Sequence, residues 1–257
     1  MMTRTNRNFI ILLSIVFLFG SAFWVQYIRY AHMPEIPDTI VIGTAADYPP
    51  FSFKHDNIIV GFDIDVAVEA VKRLGKEYII EDVPFELLIP QAMMGKLPIV
   101  AAGLSQTDQR VQQVYFTKPH MINNQLVVLT DIHHPVLKNL DDLANKQIVV
   151  NKGYTADDYM SKLNNLAIDR IPTIADAVKA LQSEKVDALV TEAQTVPLIF
   201  EKYGQDFNLF VIPESQEAIS LAISKQYPQL AQKLDVILDG MQQDGTLDQL
   251  QKKWNIQ

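Results

Sequence analysis

The chain has 257 residues, no cysteine and a formal net charge of −8. Its length supports one large domain or two lobes, and 48% apolar with 20% charged residues is ordinary for a globular protein. The acidic balance argues against nucleic acid and anionic membrane surfaces as partners. The missing cysteines exclude disulfides, thiolate metal sites, a cysteine nucleophile and a lipidated N-terminal cysteine.

Residues 9–25 carry no charge and come after Arg4 and Arg7, a pattern that keeps the N-terminus inside and exports the rest of the chain. Two readings of residues 1–33 stand side by side. In a signal peptide the apolar core is Phe9 to Phe19, with Gly20-Ser21-Ala22 as the small-residue cleavage site. In a membrane anchor the uncharged run reaches Tyr27, close to the ~20 residues that span a bilayer, and Trp24, Tyr27 and Tyr30 mark the outer interface. Either way the globular part is expected outside the cytoplasmic membrane, in the periplasm, soluble after cleavage or tethered by residues 9–27. Without Arg4, Arg7 and Arg29 that part holds 19 basic against 30 acidic residues, a balance of −11.

Beyond the spacer Ala31 to Pro37, short β-rich runs alternate with amphipathic helices, which predicts an α/β fold. Strands are expected at Thr39–Gly43, Glu77–Asp82, Ile99–Ala102, Gln125–Thr130, Gln147–Val150 and Ala188–Val190. A helix opens at Asp63, with Ile64, Ala67, Val68, Val71 and Leu74 on one face and a stop at Gly75. Ile174, Ala177, Val178 and Leu181 repeat that period, as do Leu230, Leu234, Ile237, Leu238 and Met241. In GFDID, Asp63 reads as an N-cap and Asp65 as a first-turn acid rather than a metal pair. His133-His134, with Pro135 next, reads as a loop.

Several segments carry chemistry. VIGTAADYPPFSF (Val41 to Phe53) places a Pro-rich aromatic loop at the carboxyl end of a strand. AGLSQTDQR (Ala102 to Arg110) sets an arginine after a small-residue loop, where its planar fork suits a carboxylate. Further segments are VPFELLIPQAM (Val83 to Met93), KGYTADDY (Lys152 to Tyr159), VDALVTEAQTV (Val186 to Val196) and the terminal DGTLDQLQKKW (Asp244 to Trp254). Together, from about Asp38 to the end, they resemble the solute-binding proteins of ABC importers for polar and basic amino acids.

The resemblance implies a two-lobed α/β fold of the periplasmic-binding-protein kind (type II), preceded by the N-terminal hydrophobic helix. Lobe one is expected to be residues 38–121 plus 220–257 and lobe two residues 122–219, with hinge crossings near Ile122–Gln125 and Glu217–Leu221. It implies that Arg110 clamps the ligand carboxylate and that Gly103 and Ser105 contact the ligand from the same loop. The turn at Thr155 would aim backbone N–H groups at that carboxylate. Glu192 stands where relatives carry the aspartate that accepts from the ligand's ammonium; its plain alternative is an early-turn acid favoured by the helix dipole. Tyr48 and Phe85 match the aromatic walls of the side-chain pocket. Tyr154 departs from the small hydroxyl residue usual in relatives, and Ala45 from the aspartate common in binders of basic amino acids. Asp47 either substitutes for that aspartate or caps the loop.

The implied function is capture of a polar or basic L-amino acid, arginine slightly favoured, by hinge closure and delivery to a membrane ABC permease. No catalysis, metal or organic cofactor is implied, and the membrane enters only through the N-terminal segment. Two alternatives remain. One is a cyclohexadienyl dehydratase-like enzyme on the same fold, which could recruit Asp47 and Glu192. The other is a ligand-sensing ectodomain, for which the roughly eight residues before the apolar segment leave no output domain.

Overall fold

In the computed structural model, which describes residues 34–256, the alternation of apolar runs and amphipathic helices resolves into two five-stranded sheets. The expected N-terminal signal or anchor lies outside the described residues. No helix among the described residues is long and apolar enough to cross a membrane.

The chain opens with β1 (Thr39–Thr44), then a small meander of β2 (Asp47–Tyr48), β3 (Ser52–His55) and β4 (Ile58–Val60), where the sequence pattern predicts only a loop. The helix Phe62–Arg73 leads to β5 (Glu77–Asp82), the helix Phe85–Met93 to β6 (Ile99–Val100), and the helix Asp108–Gln113 to β7 (Tyr115–Phe116). From there β8 (Met121–Asn124) carries the chain to β9 (Leu126–Asp131), β10 (Gln147–Asn151), β11 (Ala167–Ile171), β12 (Ala188–Glu192) and β13 (Phe207–Val211). The strand β14 (Glu217–Ile219) returns it to β15 (Ala222–Ile223), and two helices, Pro228–Gln243 and Thr246–Lys253, finish it.

The first sheet has the order β5-β1-β6-β15-β7 and the second β11-β10-β12-β9-β13. Parallel pairs β1–β5 and β10–β11 result from the intervening helical crossovers. β8 and β14, the two connections between the sheets, pair antiparallel with each other, Ile219 opposite Met121 and Glu217 opposite Asn124.

Each sheet is covered on both faces, so its central strands are apolar on both sides rather than alternating with polar residues. In β9, Leu126 and Val128 face the cluster with Ile148, Val150 and Met160, while Val127 and Leu129 face Val178 and Leu181 of the helix Ile174–Gln182. In the first sheet, Ile40 and Ile42 pack with Val66 and Ala70 of the helix Phe62–Arg73 and Leu234 of the helix Pro228–Gln243. Gly245, left-handed at φ 80°, separates the helix Pro228–Gln243 from the helix Thr246–Lys253.

Of the acids of GFDID, Asp65 is the first-turn acid expected, whereas Asp63 is not the expected N-cap. Gly61 is the N-cap of the helix Phe62–Arg73 and no side chain caps it. The Asp63 carboxylate is fully buried and reaches across the sheet instead: Oδ2 accepts from the Gly103 N–H at 2.7 Å and Oδ1 pairs with His120 Nε2 at 2.9 Å. Asp65 Oδ2 accepts from Lys253 Nζ and Trp254 Nε1, tying the last helix to this one. Asp63 is therefore a cross-brace between the Gly103 loop and the segment that enters β8. Asp63→Asn removes the charge from two hydrogen bonds in a buried site. It is expected to cost about 2 kcal/mol of stability, read as a lower urea midpoint at unchanged slope.

Candidate functional site

The loop after β6 is built by three local choices. Gly103 is left-handed (φ 63°), and a Cβ there would sit 3.0 Å from the Phe51 ring. Its freedom thus serves packing on Phe51, and its N–H is engaged by Asp63. Ser105 bridges to Ile219, and Ser220 N–H donates to Leu104 O, which stitches this loop to β14. Thr107 caps the next helix by accepting from the Arg110 N–H at 3.2 Å, which fixes Arg110 in the first turn, facing back over the loop.

The Arg110 guanidinium holds the centre. One terminal N–H donates to Ser105 O at 2.9 Å and another to Gly153 O, from the second sheet's side, also at 2.9 Å. Burial pushes its pKa down, with Glu217 and Asp158 opposing. A buried guanidinium in a fork geometry is a ready carboxylate receptor.

The Glu217 carboxyl shares this centre, and Glu192 lies within the field of Glu217. Glu192, 4% exposed, ends β12 and is the N-cap of the short turn Ala193–Thr195, so it is a strand-end acid and not the early-turn residue of the plain alternative. Burial, then the nearby Glu217 charge, pushes its pKa up to about 8. Glu217 Oε2 accepts from the Ser105 hydroxyl at 2.8 Å and from the Thr155 hydroxyl at 3.0 Å. Its pKa is also raised, by burial, against the pull of those hydroxyls and Arg110. Sequence reasoning missed Glu217. It lies in the short EAIS connection, where no periodicity or motif marks it; only the proximity of a hinge crossing to the ligand loop could have pointed there.

The turn at Lys152–Thr155 also departs from expectation. Gly153, left-handed at φ 79°, donates its N–H to Asp157 Oδ2 at 3.0 Å, and the Tyr154 N–H donates to Asn151 O at 3.2 Å. Both groups are engaged within the turn, and the positive φ lets the peptide present its carbonyl, not its N–H, to Arg110. Thr155 contributes its hydroxyl, to Glu217.

The two expected aromatic walls do stand near each other, with Tyr154 between them. The Tyr154 ring stacks on Phe85, centroids 3.7 Å apart and planes 16° apart, and lies 4.5 Å from Tyr48. Tyr48 stacks in turn on Phe51 at 5.8 Å. Arg110 sits over Phe85, its guanidinium carbon 5.7 Å from the ring centroid. Burial pushes the Tyr154 phenol pKa up, helped by the Asp47 charge.

Asp47 borders this slot. It is half-buried, one carboxylate oxygen has no hydrogen-bond partner among the described residues, and burial with the Asp82 and Glu86 charges pushes its pKa up to about 6. A cavity of about 370 Å³ opens beside it, lined by Asp47, Phe85, Glu86 and Thr173 among others. Ala45 is buried in the core with Val83 and Leu88 and contributes nothing polar. No cluster able to hold a metal ion is found among the described residues.

Comparison with known proteins adds to this geometry. The model of the bacterial extracellular solute-binding proteins, family 3, matches residues 40–257. A probable histidine-binding protein of Campylobacter jejuni is 29% identical over 220 residues, 85% of this chain and 86% of the relative. A solved structure of an ancestral arginine-binding protein bound to arginine has a TM-score of 0.79 at 28% identity, covering 86% of this chain and 99% of that one. An ancestral amino acid-binding protein, a precursor of cyclohexadienyl dehydratase, has a TM-score of 0.76 at 30% identity, covering 84% of this chain and 95% of that one.

Proposed function

This chain belongs to family 3 of the bacterial extracellular solute-binding proteins, and we propose that it captures a polar or basic L-amino acid, arginine ahead of the rest. One observation carries the reading: Arg110 holds the Ser105 carbonyl, Glu217 accepts from the Ser105 and Thr155 hydroxyls, and the buried Glu192 lies within the field of Glu217. A free amino acid leaving water needs an opposite charge at both its carboxylate and its ammonium, and this cluster offers both. Counting Asp47 at the slot, the site holds more acid than base. That suits a ligand with one carboxylate and two cationic groups, and a flat guanidinium suits the aromatic faces of Tyr48 and Phe85.

The two sheets then act as two lobes, residues 38–121 with 220–257 and residues 122–219, hinged at β8 and β14. The ligand's carboxylate binds Arg110 from the first lobe, and its ammonium binds Glu192 from the second. Contacts from both sides favour the closed form, which a membrane ABC permease would recognise outside the cytoplasmic membrane. The names of the relatives support this placement, and either fate of residues 1–33, cleavage or tethering, is compatible with it.

A thermal-shift panel of the common amino acids on the full chain tests the reading. Ligand at about 100-fold over Kd adds ~2.7 kcal/mol, enough for several degrees of melting temperature. Arginine is expected to give the largest shift; silence across every amino acid would overturn the assignment.

A second reading has one specific observation behind it. Burial and the Glu217 charge push the Glu192 pKa up to about 8, the direction a general acid working at neutral pH needs, and a dehydratase precursor shares the fold. Loss of prephenate absorbance on adding protein would move the assignment to that chemistry.

A further inference from the structure

Tyr154 occupies the place between the aromatic walls where a ligand side chain is expected. Its ring lies flat on Phe85 at 3.7 Å, touches Tyr48 at 4.5 Å, and is only 3% exposed. It is packed in the same buried cluster as Tyr48 and Phe51 of the meander and Phe62 of the helix Phe62–Arg73, although it belongs to the turn after β10 of the second sheet. The residue beside it, Gly153, gives its carbonyl to Arg110. A two-residue piece of the chain thus satisfies two receptors: a carbonyl oxygen on the guanidinium fork and a planar ring in the slot. The phenol also stands within the field of Asp47, the acid whose spare oxygen borders the slot.

We propose that Gly153-Tyr154 is a resident internal ligand: it holds the two sheets together across the cleft, and Tyr154 must leave the slot before a long side chain can enter. This rests on the binding reading above for the identity of the incoming ligand, but not for the closure itself. Mass action has two consequences here. The protein spends much of its time closed on itself, so the apparent affinity for a long planar side chain falls by the fraction of molecules whose slot is free. A ligand too short to reach the slot leaves Tyr154 in place and competes only with the Gly153 carbonyl at the Arg110 fork. Tyr154 is therefore a specificity-determining residue, biasing the site against weak long ligands and admitting those whose stacking and charge outmatch a tyrosine.

The test uses the full chain and the variant Tyr154→Ser. Because the native chain has no cysteine, paired spin labels can be placed cleanly at two introduced cysteines, at exposed Met94 and exposed Lys185. Without amino acid, the parent is expected to show one narrow inter-label distance. Tyr154→Ser is expected to show a broader and different one, which returns to the parent distribution on adding arginine. Identical unliganded distributions in the two proteins would overturn the proposal. In calorimetry Tyr154→Ser is expected to bind arginine about tenfold more tightly while alanine affinity stays the same. Weaker arginine binding would make Tyr154 a wall of the pocket, and an equal gain for both ligands would remove it from the slot; either result overturns the specificity role. If the distances change as expected while neither protein binds any amino acid, the internal closure stands and the amino-acid reading falls.

Discussion

Replacing Arg110 by alanine is expected to weaken amino-acid binding by about 100- to 10,000-fold, because two hydrogen bonds to a charged carboxylate are lost at ~1.5–3 kcal/mol each. The geometry explains why no neighbour can substitute. Thr107 fixes the helix turn that aims Arg110, and Ser105 O holds one side of its fork. A guanidinium has five donors, so that contact leaves others for a ligand, among them the one that Gly153 O occupies. Lysine at 110 restores the charge without the fork and should recover only part of the loss. Calorimetry on both variants checks this; an Arg110→Ala protein with parental affinity would remove the carboxylate site from this loop. Its fold should persist, since Arg110 lies outside the apolar clusters.

Glu192→Gln is expected to move binding and stability in opposite directions. The Glu192 carboxyl titrates near pH 8 in the folded chain against an ordinary 4.5. Between those values the folded state keeps a proton that the unfolded state has released. Stability therefore falls as pH rises through that window, the sign expected for an acid whose pKa folding has raised. Glutamine cannot ionise, so the variant's denaturation midpoint should stay flatter from pH 5 to 8 and exceed the parent's at the alkaline end. Parallel curves would show that Glu192 is not the titrating group. Binding should instead be nearly lost, as an ammonium buried without its carboxylate costs ~2–5 kcal/mol. In the parent, an incoming ammonium favours the ionised carboxylate, so ligand binding near neutral pH should release a proton. Calorimetry in buffers of different ionisation heat reads that proton directly.

The larger elements were legible in the sequence because their signals are local. The strand Glu77–Asp82 falls where it was expected, and the helix through Ile174, Ala177, Val178 and Leu181 buries those four side chains. β6 lies within the expected Ile99–Ala102, whereas the two-residue strands β7 and β15 carry too little pattern to stand out, and the meander β2–β4 is a product of its turns. For the site, GLSQTDQR marked Arg110 because cap, loop and fork lie within nine residues. Asp63 was read by its place at a helix start, whereas its partners, Gly103 and His120, are 40 and 57 positions away. Glu217 was invisible for the same reason: its meaning comes from hydroxyls 112 and 62 positions off. Tyr154 was visible only as a departure from the family pattern; that its ring fills the slot is a matter of packing, which periodicity does not encode.

The order of strands in the two sheets has a consequence for how the chain comes into being. The second sheet is made from one uninterrupted stretch, β9 to β13, residues 126–211. The first is not: β15, residues 222–223, lies between β6 and β7 and joins them. During synthesis the later-coded sheet therefore has all its strands first, while the sheet begun at residue 39 waits with its edge open until residues 222–223 have been made. Until then Val100 and Phe116 have no strand between them, and the half-made Arg110 site stands on an unfinished floor.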